Sequence, residues 1–238
     1  MNRAGHSNAR RLIEQTWQSQ ANLSLFLALL ALTVFVLPNL HVSPDRFRVW
    51  ADTIITLVLV SGVAIGWGRK WLFLFGLAFA IPAVITQWAT YFSSSRQLLL
   101  WSEGLSLVAV VVLAYVLLAQ VFRDDAINMM RVQGAVAAYL LIGVAYAYAY
   151  LLDWHVNPGA ITSTEGPMAR LSDWLYFSFC TLSTVGYGDI VPTSRLSRSL
   201  ATAEAITGQL YLAITIARLV GMEIGSRQKE RVIGRGGV

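Results

Sequence analysis

The 238-residue sequence predicts an all-α membrane protein of six transmembrane helices, with a re-entrant helix and loop before the last of them. Three observations carry that prediction. The chain is 56% hydrophobic and only 13% charged, more apolar than a water-soluble domain of this size requires. Its apolar residues gather into six runs close to the roughly 20 residues a helix needs to cross a bilayer core. Its 8 tryptophans, Trp17, Trp50, Trp67, Trp71, Trp88, Trp101, Trp154 and Trp174, lie near the ends of those runs, where amphipathic rings prefer the headgroup layer.

The first run, 21–37, follows a basic start with Arg3, Arg10 and Arg11. It is longer than the apolar core of a secretory signal and no small-residue cleavage site follows it, so it reads as a retained anchor. The next runs are 50–67, 71–92 (which Pro82 is expected to bend), 98–122, 132–152 and 197–222. Most of the 18 Lys and Arg residues fall in the amino-terminal, even-loop and carboxy-terminal segments, leaving Arg46, Arg48, Arg96, Arg170, Arg195 and Arg198 for the other side. The positive-inside rule then puts both termini in the cytoplasm, as expected for a multi-pass protein of the cell membrane.

Several function classes are excluded on inventory. The net charge of +5 is scattered between apolar runs and not collected on one face, so it reads as a topology signal and not as a nucleic-acid surface. A lone Cys180 permits no intrachain disulfide. His6, His41 and His155 fall in separate loops, no Cys or carboxylate cluster has metal-ligand spacing, and "GVAIGWGRK" lacks the interval of a phosphate loop. No enzyme and no organic cofactor is expected. Neither half of the chain repeats the other, which argues against a transporter.

The segment between the fifth and sixth runs is distinctive. "LSDWLYFSFCTLST" offers Ser172 or Asp173 as a helix cap, then an apolar aromatic stretch of roughly 16 Å, too short to span. A helix over 172–183 must therefore dip in and return, and backbone at membrane depth is tolerated only where protein buries it or water lines it. The stretch "TLSTVGYGDI" follows. To aim successive carbonyls at one axis its backbone must enter positive φ, which glycine does at little cost. Several copies about an axis would then replace an ion's hydration shell with rings of oxygens, the Thr184 hydroxyl completing the innermost one.

"TVGYGD", residues 184–189, resembles the selectivity-filter signature of tetrameric potassium channels, set between an outer helix, a pore helix and an inner helix as that family has them. The resemblance covers roughly residues 132–222, and weaker likeness extends to the first four runs of six-helix channels. It implies a potassium-selective homotetramer in the lipid bilayer with one central pore, K+ as the permeant ion and no chemistry. By the same resemblance Thr184, Val185, Gly186 and Tyr187 hold K+, Gly188 completes the filter, and Asp189 and Tyr176 brace it. Cys180 stands where some relatives place a glutamate behind the filter, and Tyr176 and Phe177 replace a frequent tryptophan pair. Phe177 thus has no polar atom for Tyr187. Gly208 fits the inner-helix hinge, or serves close packing. Below it Leu212, Ile216 and Val220 share a face and are candidates for an apolar gate. Gln209 is a candidate cavity residue, and Glu204, if embedded, needs a partner or water.

The domain division expected is a cytoplasmic segment 1–20, a four-helix domain 21–122, a linker 123–131, a pore domain 132–222 and a basic tail 223–238. Voltage sensing in six-helix relatives uses arginines every third residue of the fourth span, each worth about 2.3 kcal/mol per 100 mV. Here 98–122 has no Arg or Lys, so the usual sensor is absent and the channel is expected to be voltage-insensitive. Glu103 and Asp52 read first as snorkelling interfacial carboxylates, with pairing to Arg46 or Arg48, or binding of an external cation or proton, as the other readings. The tail is too short for a regulatory domain, leaving a lipid or an unidentified partner as the source of gating. A regulatory or electrically silent subunit, or a weakly selective cation pore, are the other readings.

Overall fold

The computed structural model describes residues 21–36, 38, 44–65, 70–93, 95–122, 129–164, 166, 168 and 170–235. The expected cytoplasmic segment 1–20, most of the linker 123–131 and the last three residues lie outside them. Side chains are not described at 44, 45, 64, 65, 70, 72 and 222–235. The chain forms two compact units, up to Val116 and from Leu117 onward, a division inside the fourth helix and not at the expected linker.

The first unit holds α1 (Ala21–Val36, ending in a π-helical turn Leu32–Val36), α2 (Pro44–Ile65), α3 (Lys70–Ala89) and most of α4 (Arg96–Val121). Its core is Phe26, Leu30, Ile55, Val58 and Leu59 with Leu113 of α4. Gly62 lets them approach, since a Cβ there would lie 2.8 Å from the Leu113 side chain and 3.0 Å from Phe26. Pro82 sits inside α3, which stays continuous across it; the Thr86 hydroxyl donates to the Pro82 carbonyl at 2.8 Å. Asp52 does not merely reach for the interface. It accepts from Gln87 Nε2 at 2.8 Å and from the Tyr91 hydroxyl at 2.6 Å, with Arg48 at 3.9 Å. Glu103 is buried within the chain.

The second unit is built on α5 (Met129–Val156), α6 (Leu171–Leu182) and α7 (Arg195–Arg235). With no hydrophobic drive between helices in lipid, association rests on close packing and interhelical hydrogen bonds, and α5 is composed for that: Gly134, Ala135, Ala137, Ala138, Gly143 and Ala147 are all buried. The short α6 packs on this small-residue surface. A Cβ at Gly143 would lie 2.5 Å from the Phe179 ring, so a larger residue there would require that ring to shift. Trp174 and Leu175 are almost wholly buried, Trp174 beside Trp154 with ring centroids 5.7 Å apart. On α7 the buried positions are Ser197, Glu204, Gly208, Tyr211 and Thr215, one narrow stripe of helical period, while the apolar Ile206, Leu210, Leu212, Ile214, Ile216 and Val220 stay exposed.

Among the described residues, three helices are long and apolar enough to cross a membrane: Arg96–Val121, Met129–Val156 and Arg195–Gly221. Ala21–Val36 and Phe73–Ala89 are shorter apolar helices. The all-α expectation also omits one feature. A two-stranded antiparallel sheet, β1 (Ile161–Ser163) on β2 (Ile190–Pro192), pairs Thr162 with Val191 and clips the two ends of the α5–α7 connection together.

Candidate ion-conducting site

The site begins with α6. It starts at Leu171 with Arg170 as its N-cap, so neither Ser172 nor Asp173 caps it and the helix begins two residues earlier than a Ser172 cap would put it. Asp173, at the third helical position, accepts the Arg170 backbone N–H at 3.1 Å and places a negative charge on the positive end of the helix. At the other end the chain folds back hard on the helix. Ser183 N–H donates to the Phe179 carbonyl at 3.0 Å, Thr184 N–H to Thr181 at 2.9 Å, and Val185 N–H to Cys180 at 2.9 Å; Gly186 N–H shares the Cys180 carbonyl at 3.3 Å.

The loop that follows alternates in backbone hand. Thr184, Gly186 and Gly188 have φ of 60°, 58° and 82°, while Val185 and Tyr187 between them stay at negative φ. Glycine supplies this at two of the three positions; Thr184 takes it as a β-branched residue, at a cost of about 1–2 kcal/mol. Its hydroxyl is held by two contacts, donating to the Ser183 carbonyl at 2.7 Å and accepting from Gln209 Nε2 of α7 at 3.2 Å. The consequence is a division of labour in the backbone. The donors at 184, 185 and 186 are spent on α6, and among the described residues the carbonyls of 184–187 accept no hydrogen bond. Every residue from 184 to 188 is exposed in the single chain.

Behind the loop, the Tyr176 hydroxyl donates to Asp189 Oδ2 at 2.7 Å, and its ring lies parallel to that of Tyr187, 6.4 Å away at 4°. Asp189 Oδ1 accepts the Ile190 N–H at 3.0 Å, and the Asp189 carbonyl accepts Thr164 N–H at 2.9 Å, which ties the loop to the β1 side of the clip. Phe177 faces the other way, buried edge-on to Tyr150 with centroids 4.8 Å apart. It touches α5 and not Tyr187.

On α7, Gly208 packs against the end of α6 from which the loop leaves: a Cβ there would collide with the Leu182 carbonyl oxygen. Leu212, Ile216 and Val220 lie farther along the same helix and are not brought to the loop. Three residues that pattern reading left without a role join the site from behind. Glu204, with no exposed surface, accepts the Tyr150 hydroxyl at 2.6 Å; its other oxygen lies 2.5 Å from the Ser178 hydroxyl, which itself lies 2.7 Å from the Gly143 carbonyl. An acidic residue inside an apolar run was the signal, and only the packing of three helices supplies its partners.

A family model described as "Ion channel" matches residues 134–223, the stretch that contains α6, the loop and the membrane-crossing part of α7. This part of the chain is similar to potassium channels. "Two pore potassium channel c" of Oryza sativa is 36% identical over 83 residues, 35% of this chain and 17% of its own length. "Protein LctB" of Geobacillus stearothermophilus is 36% identical over 84 residues, 34% of this chain and 62% of its own. A protein of Rhodopseudomonas palustris whose name includes "potassium channel protein" is 27% identical over 188 residues, reaching across 76% of this chain and 37% of its own. The chain thus spans between 17% and 31% of the length of the plant relatives it matches, with 24% for "Two-pore potassium channel 1" of Arabidopsis thaliana. These matches and the apolar helices support a membrane-embedded protein of the ion-channel kind, and they point away from an enzyme.

Proposed function

We propose that this chain forms a potassium-selective channel, a homotetramer in the cell membrane with six spans per subunit, conducting K+ passively through one central pore. The observation that carries the reading is the spent-donor, free-acceptor backbone of 184–187. Carbonyl oxygens without a hydrogen-bond partner are costly when buried, and a dehydrated cation is the partner they suit. Four copies would provide the rings that a single chain lacks, with Thr184, Val185, Gly186 and Tyr187 as the K+ ligands, Gly188 completing the turn, and Asp189, Tyr176 and Cys180 as the brace. The exposed apolar surface of α7 suits burial against neighbouring copies and lipid, and Leu212, Ile216 and Val220 are its gate candidates. With no Lys or Arg in 98–122, conduction is expected to be voltage-insensitive, and both termini are placed in the cytoplasm.

The test is the reversal potential of the purified protein in a planar bilayer, K+ on one side and Na+ on the other. A shift to near the K+ equilibrium value is the expected result. A clear current reversing near zero would overturn the selectivity, and silence from a verified tetramer would overturn conduction by this chain alone.

A further inference from the structure

The buried node behind the pore helix contains one oxygen more than its described protons can serve. Ser178 Oγ carries a single hydrogen, yet it lies at hydrogen-bonding distance from two oxygens, the Gly143 carbonyl at 2.7 Å and Glu204 Oε1 at 2.5 Å. The carbonyl can only accept. The Tyr150 hydroxyl is already committed to Glu204 Oε2 at 2.6 Å. If Glu204 were ionised, the Ser178 proton would have to serve both of its neighbours, leaving one close oxygen pair with no hydrogen between them. A proton on Glu204 Oε1 resolves the count: Glu204 donates to Ser178, Ser178 donates to Gly143, and Tyr150 donates to Oε2. Short bonds to the carboxyl would suit a carboxylate equally; the third oxygen, on Gly143, decides.

The surroundings agree. Glu204 has no exposed surface, and the groups that face it are neutral hydroxyls: Tyr150 from α5 and Ser178 from α6, with Tyr146 of α5 turned to Thr207 of α7 at 3.4 Å. Among the described residues no salt bridge reaches it. A buried carboxyl without a cationic partner neutralises itself by keeping its proton.

We propose that Glu204 is a proton-carrying, neutral carboxylic acid that positions α6, and through it the 184–188 loop, by bridging α5, α6 and α7. Its role in conduction rests on the channel reading, but its protonation does not. The lever is short: Ser178 lies one residue before Phe179 and two before Cys180, whose carbonyls receive the N–H groups of Ser183 and of Val185 and Gly186. Losing the bridge frees the helix end on which the loop is built. Glu204 acts through these groups and touches no ion.

Two measurements test this separately. The infrared difference spectrum between wild type and Glu204→Gln, recorded on purified protein at neutral pH, should contain the C=O stretch of a protonated carboxylic acid, shifted in D2O. Carboxylate stretches in its place would overturn the proposal whatever the protein conducts. In K+-loaded liposomes, Glu204→Gln should keep flux and K+ over Na+ preference near wild type, because the amide donates to Ser178 and accepts from Tyr150 as the acid does. Glu204→Ala should lose selectivity several-fold with the tetramer intact by size-exclusion chromatography. Equal loss in both variants would mean that the charge matters, and equal retention that the bridge does not; either overturns the positioning role. A wild type without flux would sink the channel reading and leave the infrared result to stand.

Discussion

Tyr176 and Asp189 are joined by a 2.7 Å hydrogen bond that spans from the middle of α6 to the residue just past the loop, while the same Tyr176 ring stacks on Tyr187. One side chain therefore holds the loop by its hydroxyl and by its face. Tyr176→Phe separates the two. The stack survives and Asp189 loses its side-chain donor, so the expected outcome is a several-fold faster decline of K+ current under sustained conduction, with K+ over Na+ preference kept. Current records from planar bilayers decide it, and a variant with unchanged time course would show that the hydrogen bond does not hold the loop.

The same pair sets a pH dependence whose sign is fixed. The hydrogen bond from Tyr176 holds the Asp189 carboxyl below its ordinary value of 3.8, helped by the Ile190 N–H and opposed by a smaller desolvation. A carboxyl whose folded value is depressed stabilises the fold fully above its ordinary value, and that contribution is lost as pH falls through the lowered one. Selectivity should therefore be flat from neutral pH down to the ordinary carboxylate range and decline only in stronger acid on the side that bathes Asp189. Asp189→Asn should remove the acid step. Reversal potentials measured against pH on that side alone test both halves.

Gly186 occupies the left-handed region at φ 58°, with nothing near the position where a side chain would begin. Aspartate is among the residues that tolerate this region, at about 1–2 kcal/mol or less. Gly186→Asp is then expected to fold and assemble at the cost of that backbone strain, since no atom of its own chain stands in the way. Its carboxylate would stand beside the carbonyls of 184–187 and replace their geometry with charge. K+ over Na+ preference should be lost while the purified protein elutes as wild type. Retained preference would remove these residues from the ion path.

How much of this was legible in the sequence varies with the range of the interactions. The short helix and the alternating loop could be read because each rests on local chemistry: too few residues to span, and glycines at 186 and 188 where φ must be positive; the cap could not, since Arg170 takes the place expected of Ser172 or Asp173. The Tyr176–Asp189 bond was legible as a possibility, since residue types permit it, and its distance is a matter of fold. Thr184 could not be expected to take positive φ, because β-branched residues avoid it; the backbone bonds to α6 impose it. The β1–β2 clip escaped because strands of 3 residues carry no period to read. The Glu204 node escaped for a different reason. Its partners come from α5 and α6, and nothing in the order of residues says which faces of three helices will meet.

Gly208 shows how geometry separates two roles that pattern left open. A glycine inside a helix is destabilising by about 1 kcal/mol relative to alanine, so Gly208→Ala would stabilise α7 if the position were only a hinge. The Leu182 carbonyl occupies the place of that Cβ, and a backbone oxygen at the end of α6 cannot swing aside as a side-chain terminus can. Overpacking of this kind costs about 1–3 kcal/mol, which exceeds the gain in propensity. The added methyl should push α6 and α7 apart at the level where the loop begins. Gly208→Ala is therefore expected to lower the thermal midpoint of the purified protein and to reduce K+ over Na+ preference together. Trimming the obstacle's own side chain with Leu182→Ala will not restore either, since the colliding atom belongs to the backbone. A hinge role alone predicts the opposite pairing, a higher midpoint with altered opening and intact selectivity, so a melting curve and a reversal potential on the same preparation distinguish the two.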